Sequence, residues 1–321
     1  MKHVCKKIIP VFFAVDDRYA PFLSVALRSM LANADRRYVY RIHVLTTGLS
    51  EENMEKLRRE ETENARISFD DIRDRLSRIA SELHMRDYYS PATYYRIFIG
   101  SIYREYDRVL YFDSDLVFCG DIARMYHTDI GRAVIGAVAD DVLPMEPVFG
   151  DYVETVLNVP RKRYFNAGIL LIDLARYRAT GMEERFISLL RRRRFTVAQD
   201  QDYLNVLTKN AVYYFDGAWN RSAAPCNAGR AANIVHYKMN WKPWHHDGVA
   251  FEELFWQYAD ACAFAEDIRA IKRGYSLGDK LRDKIAGERL VLTAREETEA
   301  ARRKAGERTF SSKPPCRAAH A

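Results

Sequence analysis

The sequence predicts an α/β fold with a mostly parallel central sheet and a helical, basic C-terminal extension. Three observations carry that expectation. Over residues 8–69 short apolar runs alternate with helix-favouring segments, in the order strand–helix–strand–helix–strand. This is the pattern of a parallel sheet with helices on its faces. The apolar runs are continuous rather than alternating, as in strands covered on both sides. Beyond about residue 265 aromatic residues and strand signals thin out, and 279–304 is charge-dense and helix-favouring.

The first run, IIPVFFAV at 8–15, is rich in β-branched and aromatic residues and ends at Asp16-Asp17. With lysines ahead of it, it looks superficially like a signal peptide, but no small-residue cleavage site follows, so a buried first strand fits better. Pro21 opens a helix with apolar positions Phe22, Val25, Ala26 and Met30 that ends near Asn33. A second strand is expected at 41–46 and a third at 66–69, with a helix between them capped by Ser50. Further strands are expected at 108–112, 133–138, 168–174 and 212–215, and helices at 91–103, 181–194 and 200–208. Sheets of this kind bind ligands at the carboxyl ends of their strands. The residues just after the apolar runs are therefore the place to look for chemistry.

The chain has 321 residues, 48% apolar and 29% charged, enough for one large domain or two smaller ones. Its net charge of +6 is too mild for a nucleic-acid coat, and no nucleic-acid partner is expected. Five scattered cysteines without a CxxC pair argue against a disulfide scaffold and for reduced thiols in a cytoplasmic protein. No stretch approaches the ~18 apolar residues of a membrane span. The basicity has an address: residues 269–321 hold 14 Lys and Arg against 7 Asp and Glu. That segment suits either a solvated helical face or a peripheral foothold on anionic lipids of the inner membrane face.

The sharpest local feature is Asp113-Ser114-Asp115 at the end of the run 108–112. Alternate residues of an extended chain share a face, so both carboxylates can grip a divalent metal on a diphosphate. Turn and cap roles explain such aspartates equally well. His236 offers a third metal ligand and Lys242 a cation for phosphate, although Tyr237, Trp241 and Trp244 also suit a core edge. The neighbours His245 and His246 point to opposite faces and so do not share an ion. Asn166-Ala167-Gly168 reads as a turn before a strand or as a close approach to a sugar. Asp200-Gln201-Asp202 reads as a helix start whose aspartates cap it, or as a cluster of hydroxyl-binding groups. Glycine-rich dinucleotide and NTP loops, a nucleophile elbow and a zinc helix are all missing from the sequence.

Taken together and in order, these features resemble the family 8 glycosyltransferases. These are retaining enzymes that use UDP-sugars and include lipopolysaccharide galactosyl- and glucosyltransferases. The resemblance rests on FAVDDRY at 13–19, YYRIFIG at 94–100, RVLYFDSDLVF at 108–118, YFNAGILLIDL at 164–174, QDQDYLN at 199–205 and HYKMNWKPWH at 236–245. It implies a single Rossmann-like domain of the GT-A type at 1–264, leaving the helical extension at 265–308 and a disordered tail at 309–321. It also implies that Asp113, Asp115 and His236 hold Mn²⁺, with Mg²⁺ as the alternative, against the UDP diphosphate. Ala14, Asp16, Arg18, Tyr19 and Ser114 would then border the nucleotide, and Lys242 its departing phosphates. Arg96, Asn166 and Ala167 would meet the donor sugar, Asp200 would bond a sugar hydroxyl, and Gln201 would lie beside the anomeric carbon.

The expected reaction moves glucose or galactose from a UDP-sugar donor to a glycan or glycolipid acceptor. Front-face attack by the acceptor hydroxyl is favoured over a covalent intermediate on Asp200. Two departures bear on nucleotide binding: Arg18 stands where the family commonly has asparagine, and Met239 where many relatives have glycine. The competing readings are a nucleotidyltransferase of related fold and a non-catalytic membrane-surface scaffold. Acceptor recognition is expected in loops such as 75–90 and 140–160.

Overall fold

The structure, a computed structural model, describes residues 7–77 and 91–311. Its elements run β1 (Ile8–Ala14), α1 (Ala20–Ala32), β2 (Val39–Thr46), α2 (Glu51–Arg58), β3 (Ala65–Asp71) and α3 (Arg73–Ser77). After a 3-10 helix at Pro91–Phe98 come α4 (Ile99–Ile102), β4 (Arg108–Phe112), β5 (Leu116–Phe118), α5 (Ala123–Tyr126), β6 (Ile135–Ala139) and α6 (Pro147–Thr155). Then follow β7 (Phe165–Asp173), α7 (Leu174–Ala179), α8 (Met182–Arg192), α9 (Asp200–Thr208) and β8 (Val212–Tyr214). The chain closes with β9 (Arg221–Ser222), β10 (Ile234–His236), α10 (Glu252–Ala259), α11 (Ala265–Gly274) and α12 (Leu277–Ser311).

The central sheet has the order β3-β2-β1-β4-β7-β6-β8. Its pairings are parallel except on the two sides of β7, which runs antiparallel to both β4 and β6. Both faces are covered, which explains the continuous apolar run of β1. Ile9, Val11 and Phe13 enter one core while Phe12 and Ala14 enter the other. Pro10 is tolerated in this inner strand because pairing with β4 begins only at Val11. Ser50 caps α2 as expected, accepting from the Asn53 amide at 3.4 Å.

A second, three-stranded sheet, β5-β10-β9, was not expected from the sequence. Its strands are two or three residues long, too short for any periodicity to show. The expected helix at 91–103 begins as the 3-10 helix.

The C-terminal region is helical as expected. Helix α12 extends through Ser311, past the expected start of a tail at 309, and residues 312–321 lie outside the described residues. α12 packs on α6 and sinks Leu290 and Ala294 into the second core. Arg302 adds an ion pair to Asp151 at 3.1 Å, and the Thr196 hydroxyl bonds Glu297.

Candidate functional site

The parallel strands β1, β4 and β6 release their chain at one edge of the sheet, delivering Asp16, Asp113 and Asp140 there. Because β7 is antiparallel, it contributes its first residues instead. Phe112 pairs with Ile169, and the Asp113 amide donates to the Gly168 carbonyl at 2.7 Å. Asn166-Ala167-Gly168 is therefore the start of a buried strand and not a turn before it, which corrects the turn reading. The small sheet does the rest. His236 pairs with Leu116 across β5 and β10 and so stands beside Asp115.

Asp113, Asp115 and His236 each present a ligand atom, all within 4.8 Å of one another. His236 Nε2 lies 3.1 Å from Asp115 Oδ1. On the far side of the ring, Nδ1 lies 3.0 Å from the Asn220 carbonyl oxygen. Asn220 spends its amide on Asn166 Oδ1 at 3.0 Å, and that oxygen also accepts from the Gly168 amide at 3.0 Å. Because the Asn220 amide nitrogen is turned to Asn166, its side-chain oxygen faces Nδ1 and accepts from it, which leaves Nε2 as the ring atom directed at the carboxylates. This donor set of one imidazole and two carboxylates suits a divalent ion. A methyl group at Gly168 would stand 2.5 Å from Asp113 Oδ2 and 2.6 Å from His236 Cε1. Only glycine leaves room for this cradle.

Beside it lies the cluster expected to meet a sugar. Arg96 is buried, sits 3.2 Å from Asp113 Oδ1, bonds the Ala167 carbonyl and covers the Tyr111 ring at 4.4 Å. Its Nε lies 3.1 Å from Asp200 Oδ2 but directs its hydrogen to the Thr93 carbonyl. Asp200 Oδ2 thus makes no hydrogen bond among the described residues. Burial, opposed by Arg96, pushes the Asp200 carboxyl up to about 7. The Gln201 side-chain oxygen accepts from the Ala167 amide at 3.0 Å and from Asn166 at 3.1 Å, and its nitrogen donates to the Tyr164 hydroxyl at 3.0 Å. Gln201 is consequently held in one orientation, carbonyl towards the sheet edge.

Asp202 differs from the pair before it. It accepts from Tyr164 at 2.6 Å, Tyr152 at 2.8 Å and the Ala198 amide at 3.0 Å. Burial nevertheless pushes its carboxyl up to about 6. It braces the start of α9 and does not line the cavity.

On the other flank, Ala14, Asp16, Arg18, Tyr19, Ser114 and Lys242 border the same cavity. Asp16 accepts from the amides of Arg18 and Tyr19, at 3.1 and 3.2 Å, and shapes the turn into α1. Arg18 is largely exposed and reaches Asp16 at 3.4 Å. Lys242 is buried and ion-paired to Asp115. Burial works against the charge of Asp115, but Lys242 and His236 outweigh it and hold the carboxyl well below its usual range. Met239 has φ +58°, a left-handed conformation that favours glycine.

Several residues at the site escaped the sequence reading. Asn220 orients His236. Lys238 is buried, pairs with Asp140 at 2.9 Å and with Asp141 at 3.2 Å, and lines the cavity. From α12, Asp283, Gly287, Arg289 and Leu290 also line it. The whole cavity measures about 400 Å³, within the roughly 300–1,000 Å³ of small-molecule sites.

Comparison with known proteins was made against this geometry. A model described as "Glycosyl transferase family 8" matches residues 10–248. The glycosyltransferase GlyF of Streptococcus pneumoniae serotype 4 is 30% identical over 181 residues, covering 53% of this chain and 42% of its own length. The chain thus spans less than half of that relative. Lipopolysaccharide 1,2-glucosyltransferase of Escherichia coli K12 is 25% identical over 256 residues, which is 73% of this chain and 72% of that protein. Among solved structures, the galactosyltransferase LgtC in complex with donor and acceptor sugar analogues superposes with a TM-score of 0.66 at 27% identity. The superposition covers 79% of this chain and 96% of LgtC.

Proposed function

The chain belongs to glycosyl transferase family 8, and from that premise we propose that it is a metal-dependent, retaining hexosyltransferase. It moves glucose or galactose from a UDP-sugar to the hydroxyl of a glycan or lipopolysaccharide-type acceptor. Its fold is the GT-A type shared with LgtC. The observation that carries the reading is the convergence of Asp113, Asp115 and His236 beside the Arg96–Asp200–Gln201 cluster in one cavity.

Asp113, Asp115 and His236 would hold the divalent ion, Mn²⁺ or Mg²⁺, which when bound would supply positive charge to offset that of the diphosphate leaving group. Lys242, raised above its ordinary range by Asp115 and Tyr19 in spite of burial, stays protonated and adds its charge to the same oxygens. Ala14, Asp16, Arg18, Tyr19 and Ser114 form the nucleotide side. Arg96, Asn166 and Ala167 position the sugar, with Asp200 accepting from one of its hydroxyls. Gln201, fixed by three hydrogen bonds, sets a carbonyl dipole against the positive charge that grows on the anomeric carbon. An amide is a weak nucleophile, and Asp200 is engaged by Arg96, so front-face attack by the acceptor is the route these groups favour.

A cytoplasmic, peripheral placement on the inner membrane face goes with this reading. No helix among the described residues is long and apolar enough to cross a membrane. Leu277, Leu281 and Ile285 form an exposed stripe on α12, where Lys280, Arg282 and Lys284 stand against Asp279 and Asp283, an apolar stripe with a small basic excess that suits anionic lipid. The deciding experiment is a UDP-sugar hydrolysis panel with and without Mn²⁺, comparing the wild type with Asp113→Asn. Mn²⁺-dependent cleavage of UDP-glucose or UDP-galactose that falls at least about 100-fold in the variant is expected. No cleavage of any UDP-sugar, with no thermal shift by UDP plus Mn²⁺, sinks the reading.

A further inference from the structure

We propose that α12 is the acceptor-facing wall of the transfer pocket, in which Gly287 leaves the room an acceptor sugar occupies and Arg289 flanks the entrance. The inference rests on the function proposed above. It extends that function to a helix lying entirely beyond the matched residues 10–248.

The helix is held on either side of its cavity-lining residues. Near its start, Tyr275 stacks on His245 with centroids 3.9 Å apart and bonds Asp283, and Lys272 donates to the carbonyls of Pro243 and His246 at 2.7 Å. These contacts tie it to the loop that carries Lys242. Further along, Leu290 and Ala294 are buried in the second core, and Glu297 bonds Thr196, four residues before Asp200. One helix therefore bridges the phosphate-side loop and the start of α9.

The sheet order says which half of the cavity it covers. Ala14, Asp16 and Tyr19 belong to the β1 side, whereas α12 packs on α6, which follows β6. The β6 side also supplies Asp140 and Leu143, with Lys238 paired to Asp140 there. From the Lys242 loop α12 thus crosses to the β6 half of the cavity, away from the β1 residues Ala14, Asp16 and Tyr19. Gly287 is inside the helix, where glycine is disfavoured against alanine. Packing does not demand it, because a Cβ built there meets no atom within 4 Å. What its missing side chain leaves is open cavity. Asp200, 3% exposed, lines the same cavity, its Oδ2 buried against Arg96.

The test uses the full chain with Gly287→Phe, Gly287→Ala and Arg289→Ala, each first checked for a wild-type melting temperature in the absence of ligand. Three quantities are read: UDP affinity in Mn²⁺ by calorimetry, donor hydrolysis without acceptor, and transfer to methyl glucosides and galactosides. Saccharide binding to the UDP–Mn²⁺ protein is followed by saturation-transfer NMR. Gly287→Phe is expected to keep UDP affinity and hydrolysis within about twofold while transfer efficiency falls at least about tenfold. Gly287→Ala should fall less, and Arg289→Ala should raise the acceptor KM. Equal losses in UDP affinity would make α12 part of the nucleotide site and overturn the proposal, as would unchanged transfer. It also fails if the wild type cleaves donor but binds and glycosylates none of these saccharides. If the wild type neither binds UDP nor cleaves any UDP-sugar, the function itself is wrong and the wall falls with it.

Discussion

Asp113 and Gly168 face each other across the junction of β4 and β7. The Asp113 amide donates to the Gly168 carbonyl at 2.7 Å, and a methyl group on Gly168 would stand 2.5 Å from Asp113 Oδ2. The glycine is the space in which two side chains of the proposed metal site, Asp113 and His236, meet. Gly168→Ala should therefore weaken Mn²⁺ binding in the presence of UDP roughly tenfold or more, with a stability loss of about 1–3 kcal/mol from overpacking. Calorimetric titration checks the first and urea unfolding the second. Wild-type metal affinity in a folded Gly168→Ala protein would show that the ion binds elsewhere.

Asn220 bears on the proposed metal site through His236. Its carbonyl oxygen, 3.0 Å from Nδ1, holds the tautomer that leaves Nε2 free to ligate. Asn220→Ala should lower metal affinity about 10–100-fold, and Asn220→Asp, which keeps the acceptor, should recover much of that loss. The histidine tautomer is read directly by ¹⁵N NMR. An unchanged tautomer in Asn220→Ala would remove the basis for this expectation.

Asp202 gives a pH signature. Burial raises its carboxyl to about 6 in spite of two tyrosines and an amide, so the folded state binds this proton more tightly than the unfolded chain, where a carboxyl titrates near ~4. The cost is absent below pH ~4, grows as pH rises towards 6, and is complete above it. Its size is on the order of 3 kcal/mol. His245, whose pKa is lowered to about 4 by burial, runs the other way over pH 4 to 6.5, so the wild-type profile alone does not isolate Asp202. The difference between proteins does. Asp202→Asn loses the bond from the Ala198 amide at every pH, yet its stability relative to the wild type should improve between pH 4.5 and 7.5. A gap that stays constant over that window contradicts the assignment.

Met239 adopts φ +58° beside the cavity. Met239→Gly should stabilise the protein by about 0.5–1 kcal/mol, whereas Met239→Ala, with the same left-handed strain, should not. Denaturant unfolding of the two variants makes the comparison. Equal effects from glycine and alanine would point to the lost side chain instead of the backbone.

Gln201 is held by Ala167, Asn166 and Tyr164. Gln201→Ala should lower kcat by about 10–100-fold with little change in donor KM, because the dipole it supplies matters only as charge develops. Steady-state kinetics on the donor decide this, and a rise in KM at constant kcat would reduce Gln201 to a ground-state contact.

Much of this was legible in the residues. Continuous apolar runs and the alternation of strands and helices sufficed for the parallel half of the sheet, because β1 to β3 follow one another in the chain and their signals are local. Asp113, Asp115 and His236 stood out by residue type, and the order of motifs joined them. Asn220 and Lys238 carried no such signal. An asparagine in GAWN or a lysine in HYKMN matters only through what lies beside it, and those neighbours are 16 to 98 residues away in the chain.

By itself, then, the sequence determined the α/β class, the strands that end in carboxylates and the family to which they belong. Three things were decided by tertiary structure alone: the reversal of β7, the pairing of β5 with β10, and the passage of α12 across the cavity. The reason is physical. Hydropathy and turn chemistry act over a few residues and specify which faces are to be buried. Strand direction, tautomer and cavity walls instead depend on which distant faces bury one another, and a strand buried on both sides reads the same in either direction.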